Sequence, residues 1–404
     1  MFHNLIAMKY IIKIIGQFYK SCVDEFKAIF HDKGVMIFIF LLPLIYPVVY
    51  ALIYNPELSR DVKAVVVDDD RSEKSRAFVR KIDASESVRI IGYAANMEEA
   101  KDALAAKQCY GIIRIDRNFE NDIVRGERGK ARLYCDMSLL IRYKALLSGV
   151  TEASFDLGSE IQFETIGALG ASGPKLPPVY KPAYYPLGNP EQGFATFLLP
   201  GIMILVIQQT ILLAICMLAG GRFEKFRAGL IASPGITGDF LPALLGKAGT
   251  FVIIYIPIIF YLLFILPYAF QYPQEAGFWD LLILCVPFIL SVVFFGMTLQ
   301  VLVRERESVF VVIVFSSVLM LFASGITWPL FSTPAPLQFV GGCIPSTWAM
   351  QAFERMNANG ASLYEVGFEM KMLWILTFIY GITAYIANRF TSRNYKNAFF
   401  DAEN

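Results

Sequence analysis

The chain has 404 residues, 56% of them hydrophobic, with a mean hydropathy of +0.50 and a formal net charge of +1. Charged residues make up only 18%, against about 25% in soluble domains, and the near-zero balance lacks the basic surplus expected of a nucleic-acid binder. Six cysteines lie scattered, with no CxxC pair and no Cys/His cluster, so neither a zinc site nor a dense disulfide framework is indicated.

The apolar residues collect in runs of about 20, the length a helix needs to cross roughly 30 Å of hydrocarbon. Ahead of the first run, residues 1–34 lack the compact apolar core of a signal peptide and read as an amphipathic helix. At ~100° per residue, Lys9, Lys13, Lys20 and Lys27 fall within about 40° of one another; Ile11, Ile15, Phe18, Cys22, Phe26 and Ile29 fall opposite. A basic stripe opposite an apolar one suits a helix lying in the membrane interface, although a core helix of a soluble segment has the same pattern.

Residues 35–54 are the first predicted span and contain Pro43 and Pro47, which membrane helices tolerate. Residues 55–193 are charged and read as an α/β domain. Strands are predicted over 62–67, 88–93, 110–115 and 130–135, and helices over 72–82 and 96–107, the latter opened by Asn96 and Glu99 as a capping-box-like pair. A short helix fits between the last two strands. A long helix, 139–169, then leads to a proline-rich connector at 174–190. Cys109 borders the predicted strand 110–115 and Cys135 falls on the predicted strand 130–135, either as two free core thiols or as a disulfide in an oxidising compartment.

Five further spans are predicted at 194–219, 243–267, 279–303, 308–329 and 371–388, separated by a loop at 220–242 and an outer region at 330–370. The fold class expected is therefore an α-helical polytopic membrane protein of six transmembrane helices with an inserted extracytoplasmic α/β domain. Lys and Arg concentrate before span one, in the 220–242 loop, around Arg304 and Arg306, and in the 389–404 tail, whereas residues 268–278 have neither. This bias places both termini in the cytoplasm and residues 55–193 outside.

No catalytic or metal-binding constellation emerges. The nearest approach to a phosphate-binding loop, Gly246-Lys247-Ala248, lacks the Ser/Thr that would hold magnesium, and Leu241 replaces the first glycine. His3 and His31 are the two histidines, both near the N-terminus, which excludes a histidine triad in the rest of the chain. The spans carry almost no ionisable residue, whereas ion-coupled carriers place carboxylates or histidines near the midplane. Their interior polar residues are Gln208, Gln209, Ser291, Thr298, Gln300, Ser316 and Ser317.

Two charged segments between spans are candidates for docking a partner. The first is Arg222, Phe223, Glu224, Lys225, Phe226 and Arg227, followed by Ser233 and Pro234. Phe223 and Phe226 stand three apart on one helix face, the arrangement of helix-in-groove recognition. The second is Arg304 and Glu305 with Arg306 and Glu307. Both clusters also suit simple anchoring of helix ends at lipid headgroups. After span five, Trp328 and Pro329, then Pro345 and Trp348, lie in apolar, turn-rich sequence too interrupted to span. It reads as a re-entrant or interfacial element with its tryptophans at headgroup depth, or as an ordinary outer loop.

In order and spacing these features resemble type 2 ABC transporter permeases, in the subgroup of bacterial exporters with a large external domain between spans one and two. The strings that carry the likeness are Leu41-Leu42-Pro43-Leu44, Gly188-Asn189-Pro190 with Leu199-Pro200-Gly201-Ile202, the 222–234 segment with Gly246-Lys247, and the 322–329 stretch with Ile344-Pro345-Ser346. The resemblance spans essentially the whole length. It implies a non-catalytic inner-membrane subunit that binds no cofactor itself, with ATP and Mg held by separate cytoplasmic ABC ATPase subunits. It further implies a second permease copy or paralogue, contact with membrane lipids, and a periplasmic adaptor and outer-membrane channel as further candidate partners. In that arrangement the 222–234 segment with Arg304 and Glu305 couples to the ATPase, and Gln208, Gln209, Ser316 and Ser317 line the pathway for an amphipathic or lipid-like cargo. The alternatives are a membrane-anchored envelope scaffold and, disfavoured by the missing midplane charges, an ion-coupled carrier.

Overall fold

The computed structural model describes residues 2–54, 59–168, 193–231, 240–329 and 332–403. They fall into two compact units, one built mainly from Met1–Tyr54 and Ala195–Asn404, the other from Asn55–Pro186.

The second unit is an α/β layer. Strands β1 (Val62–Asp68), β2 (Val88–Tyr93), β3 (Gly111–Ile115) and β4 (Ala131–Cys135) form one sheet in the order β2-β1-β3-β4. β1 runs parallel to β2 and β3, and β4 closes the other edge antiparallel to β3. The valine-rich β1 is central and buried on both faces, as a strand covered from two sides must be. One face, with Ala64, Val66 and Ile113, packs on Phe78, Val79 and Ile82 of helix Glu73–Asp83 and on Leu146, Ala153 and Leu157 of the long helix Leu140–Ala168. The opposite face, with Val65, Val67 and Ile112, covers Ala100 and Cys109.

That alternation separates the two cysteines. Cys109 is buried in the second cluster, Cys135 packs against the first, and both thiols are free. Burial pushes the Cys135 thiol up to about 11. The helix starts follow local chemistry: Ser72 Oγ accepts from Ser75 N–H at 3.1 Å, and Asn96 Oδ1 accepts from Glu99 N–H at 2.9 Å while Glu99 reaches back to Ala95 N–H at 2.7 Å. The 174–190 connector, with Gly188-Asn189-Pro190, lies outside the described residues.

The first unit is helical. Among the described residues, six helices are long and apolar enough to cross a membrane: Lys33–Ile53, Leu198–Arg227, Phe240–Ala269, Phe278–Leu302, Arg306–Ala323 and Gly367–Ser392, here spans one to six. Several ends differ from the sequence expectation. Span two belongs to a helix, Phe194–Arg227, that continues through Gly220 instead of giving way to a loop. It ends in a Schellman turn, Leu230 N–H bonding Lys225 C=O and Gly229 N–H bonding Phe226 C=O. Span five stops at Ala323 rather than 329, where the chain turns at Gly325 with a φ of +90°, a conformation glycine adopts freely. The 330–370 region contains two short helices, Ala335–Gly342 and Pro345–Asn359, and the last span runs on as one helix, Gly367–Glu403, through the expected tail.

Two π-helical turns, Ile37–Leu41 and Tyr261–Ile265, sit directly before the helical segments that open with Pro43 and Pro267. A proline removes one helical donor and crowds the carbonyl four residues back, and a widened turn relieves both problems. At Pro267 that carbonyl belongs to Leu263, and Gln274 Nε2 donates to it at 2.7 Å.

The N-terminal helix α1 (Phe2–His31) lies along span three. Ser21 Oγ donates to Ala243 C=O at 2.7 Å and Thr250 Oγ1 donates to Cys22 C=O at 3.0 Å. Gly246 permits the approach, since a Cβ there would strike the Phe18 carbonyl. Ile29 is fully buried, whereas Ile15 and Phe26 stay exposed, so only part of the apolar stripe is taken up by protein.

Candidate functional site

Charged side chains of α1, spans two and three, and the start of span five meet at one end of the helical unit. Glu25 is the hub. It is 4% exposed, pairs with the Arg222 guanidinium, and has Lys247 Nζ 3.6 Å from the same oxygen. Burial by itself would raise its carboxyl; the Arg222 and Lys247 cations and their hydrogen bonds outweigh that and hold it below the ordinary 4.5.

Asp32 is the second hub. Between α1 and span one it caps the new helix, accepting from Gly34 and Val35 N–H at 3.1 Å each, and pairs with the Arg306 guanidinium. The Arg306 backbone N–H in turn donates to Glu224 Oε1 at 2.9 Å. This satisfies one free donor at the start of span five with a carboxylate from the end of the span-two helix, and the charge suits that helix end. Gly220 makes the crossing possible: a Cβ there would lie 3.1 Å from both Arg306 N and Cα. The end of span two is thereby bound to three other elements by charge.

The sequence-predicted coupling residues divide accordingly. Arg222 and Glu224 are consumed by these internal bonds. Phe223 and Phe226 are half-buried, their ring centroids 6.3 Å apart, with the Arg227 guanidinium 5.6 Å from the Phe223 centroid. Lys225 is exposed. Ser233 and Pro234 lie outside the described residues. Arg304 and Glu305 are exposed, and the cation of that segment that joins the network is its neighbour Arg306.

Glu25 and Asp32 are therefore the residues that reading the sequence passed over, while Lys247, singled out there only within the Gly246-Lys247 string, joins them in the network. A signal existed for Glu25, since a carboxylate falls on the apolar side of the α1 wheel; Asp32 stands just ahead of a helix start, the position of a cap. Nothing in the sequence pairs Glu25 with Arg222.

Midway along the helices, the four polar residues assigned to the pathway behave in two ways. Gln208 and Gln209 are buried, and both amides donate to Met320 Sδ of span five, at 3.2 and 3.1 Å. Gln208 Oε1 also accepts Ser346 N–H at 2.8 Å, holding the start of helix Pro345–Asn359. Gln209 Oε1, Ser346 Oγ and Thr347 Oγ1 are buried there without a partner among the described residues. Ser316 and Ser317 instead bond back to Ile313 and Val314 C=O of their own helix, at 2.7 and 2.6 Å.

Of the residues expected in a re-entrant or interfacial element, Trp328 and Pro329 are exposed and Pro345 is buried. Trp348 donates to Gly342 C=O at 2.8 Å and meets Phe368 edge-on, bracing the two short helices against the last span.

Six apolar helices among the described residues, with spans one, two, three and five joined at one end by a charge network, describe a polytopic membrane component. No grouping of His, Cys, Asp or Glu among the described residues could hold a metal. Residues 33–386 match the family model described as ABC-2 family transporter protein, and the chain belongs to that family. It is thus a multi-pass membrane permease of the ABC transporter class. No curated protein matches it at a significant level.

Proposed function

We propose that the chain is the permease of an exporter that moves an amphipathic or lipid-like molecule out of the cytoplasm or the inner leaflet, energised by separate cytoplasmic ATPase subunits that hold ATP and Mg. In this reading the protein sits in a bacterial inner membrane with both termini cytoplasmic and residues 55–193 outside, and it works with a second permease copy or paralogue. A periplasmic adaptor and an outer-membrane channel would extend the route across the envelope.

The observation that carries the proposal is the charge-bound end of span two. A force applied near Phe223 and Phe226 cannot move that helix alone: Arg222 draws α1 and span three through Glu25, and Glu224 draws span five through Arg306. Such an end suits a lever that converts closure of a docked ATPase into rearrangement of several spans. The mixed polar and apolar surroundings of Gln208 and Gln209 suit an amphipathic cargo.

Truncating a central aromatic anchor costs about 2 kcal/mol or more of binding. Phe223→Ala with Phe226→Ala is therefore expected to lower ATPase co-purification by about 30-fold and to abolish transport, with membrane insertion unchanged. A double variant that keeps wild-type ATPase retention and cargo-stimulated hydrolysis removes this segment from the coupling path. Orientation has its own check: a cysteine placed at Glu127 should react with an impermeant thiol reagent added to intact cells, and one placed at Lys225 should not. Labelling at Lys225 would reverse the topology.

A further inference from the structure

Beside the charge network lies an open cleft of about 700 Å³ between the end of α1, the end of span two and the start of span five. Four basic side chains line it, Lys33, Arg222, Lys225 and Arg306, against two carboxylates, Asp32 and Glu224. The internal bonds leave this balance uneven. Arg222 is taken by Glu25 and Arg306 by Asp32, while the Lys33 and Lys225 ammonium groups have no ion pair or hydrogen bond among the described residues.

The depth of the cleft is fixed by its residues. Lys33 and Arg306 are the first residues of spans one and five, and Leu218 to Lys225 belong to the last turns of span two, so three apolar helices end near the level of the cleft. That is where lipid headgroups lie. Its apolar side is equally specific. Leu218 and Leu230 contribute to the lining. Beyond it Phe38 of span one and Phe310 of span five touch, with ring centroids 5.5 Å apart, flanked by exposed Ile37, Leu41 and Val314. Unpaired ammonium groups at the mouth and bare apolar helix beyond match an anionic head with acyl chains. A basic pocket between spans is the recurrent form of such a site.

We propose that this cleft binds the headgroup phosphate of an anionic phospholipid between Lys33 and Lys225, its acyl chains lying against spans one and five. The lipid is a resident ligand and not the cargo. Because it occupies the junction where α1, span two and span five are tied together, its presence braces the network that Glu25 and Asp32 organise. The site stands independently of the exporter reading, since it requires only the cleft and its depth.

The test uses the full chain, purified in detergent, delipidated and titrated with phosphatidylglycerol or phosphatidylcholine, with bound lipid counted by native mass spectrometry. Wild type is expected to retain phosphatidylglycerol preferentially. Lys33→Gln with Lys225→Gln should weaken that retention by about 30-fold, at the usual strength of two basic side chains near a lipid surface. Lys33→Arg with Lys225→Arg should restore it. Should the glutamine pair fail to fold, single Lys33→Gln is read the same way, with a loss of about fivefold. Equal retention of both lipids, or an unchanged preference in the glutamine variant, overturns the proposal. Displacement of phosphatidylglycerol by millimolar inorganic phosphate makes the cleft an anion site only and also overturns it. Stoichiometric displacement by an added ATPase subunit would make the cleft a protein-docking surface, and the lipid proposal would fall with it.

Discussion

Spans two and five are both uncharged in their middles and both strongly apolar, with mean hydropathies of 2.5 and 1.9 in their most apolar windows. Yet 94% of the span-two window is buried within this chain and only 17% of the span-five window. Leu212, Leu213 and Ile215 of span two are enclosed, whereas Phe315, Leu319 and Phe322 of span five are more than half exposed. Hydropathy thus places a helix in lipid without saying what surrounds it. Lipid tails and protein side chains are equally apolar, so burial inside the bundle is decided by packing and by polar contacts between helices. Span two has such contacts at three levels: Arg222 and Glu224 at the α1 end, Gln208 and Gln209 in the middle, and Gly201 packed on Ile326 towards the other end. Span five shares one side of these and leaves the rest of its circumference bare.

The contrast between the two spans should collapse most completely when the anchor of span two is released. Glu25→Ala leaves Arg222 and Lys247 without their carboxylate, and removing one partner of a buried ion pair costs about 3–5 kcal/mol. Unfolding in detergent should show that loss. The same carboxyl sets a pH dependence. Its folded value lies below the ordinary 4.5, so its contribution is fully present above that pH and is lost as pH falls through the folded value. Wild type should therefore lose stability on acidification below 4.5 more steeply than Glu25→Gln does; parallel profiles would remove Glu25 from its place as hub.

Packing gives the next contrast. Leu212→Ala, at a side chain 1% exposed, should cost about 2–4 kcal/mol, whereas Leu319→Ala, 72% exposed, should stay within about 0.5 kcal/mol. Comparable losses at both positions would show that span five is as enclosed as span two in the working protein.

The polar residues give the finest division. Gln208→Leu strands the buried Ser346 N–H and should cost about 1–3 kcal/mol. Gln209→Leu removes an unpaired oxygen together with a weak bond to the Met320 sulfur that Gln208 also supplies, and Ser316→Ala removes a bond within its own helix, so both should be close to neutral for stability. A change in cargo-stimulated hydrolysis with stability intact would separate a pathway residue from a structural one. No such change at Gln209 or Ser316 would confine both to packing.

How much of this was legible beforehand follows from range. The apolar runs identify six spans because crossing hydrocarbon is a requirement each helix meets by itself. The cap at Asn96 and the alternation of β1 are equally local, and so is the α1 helix. The Glu25 carboxylate among its apolar positions is a signal of the same local kind, which reading the sequence passed over. The helix ends were less legible: the span-two helix runs on past Gly220, because Arg222 and Glu224 find partners 197 and 82 positions away in the chain. No periodicity carries that information.

The order of residues was thus enough to specify a six-span chain with an α/β segment, since hydropathy and capping act over a few turns. Packing of distant elements settled the rest. It made Gln208 hold a second helix while Ser316 and Ser317 turn back on their own. It brought Arg306 rather than Arg304 into the network, and it set Cys109 and Cys135 on opposite faces of a sheet. Each of those outcomes depends on which distant backbone comes within about 3 Å, the reach of a hydrogen bond, and that distance is set when the helices pack.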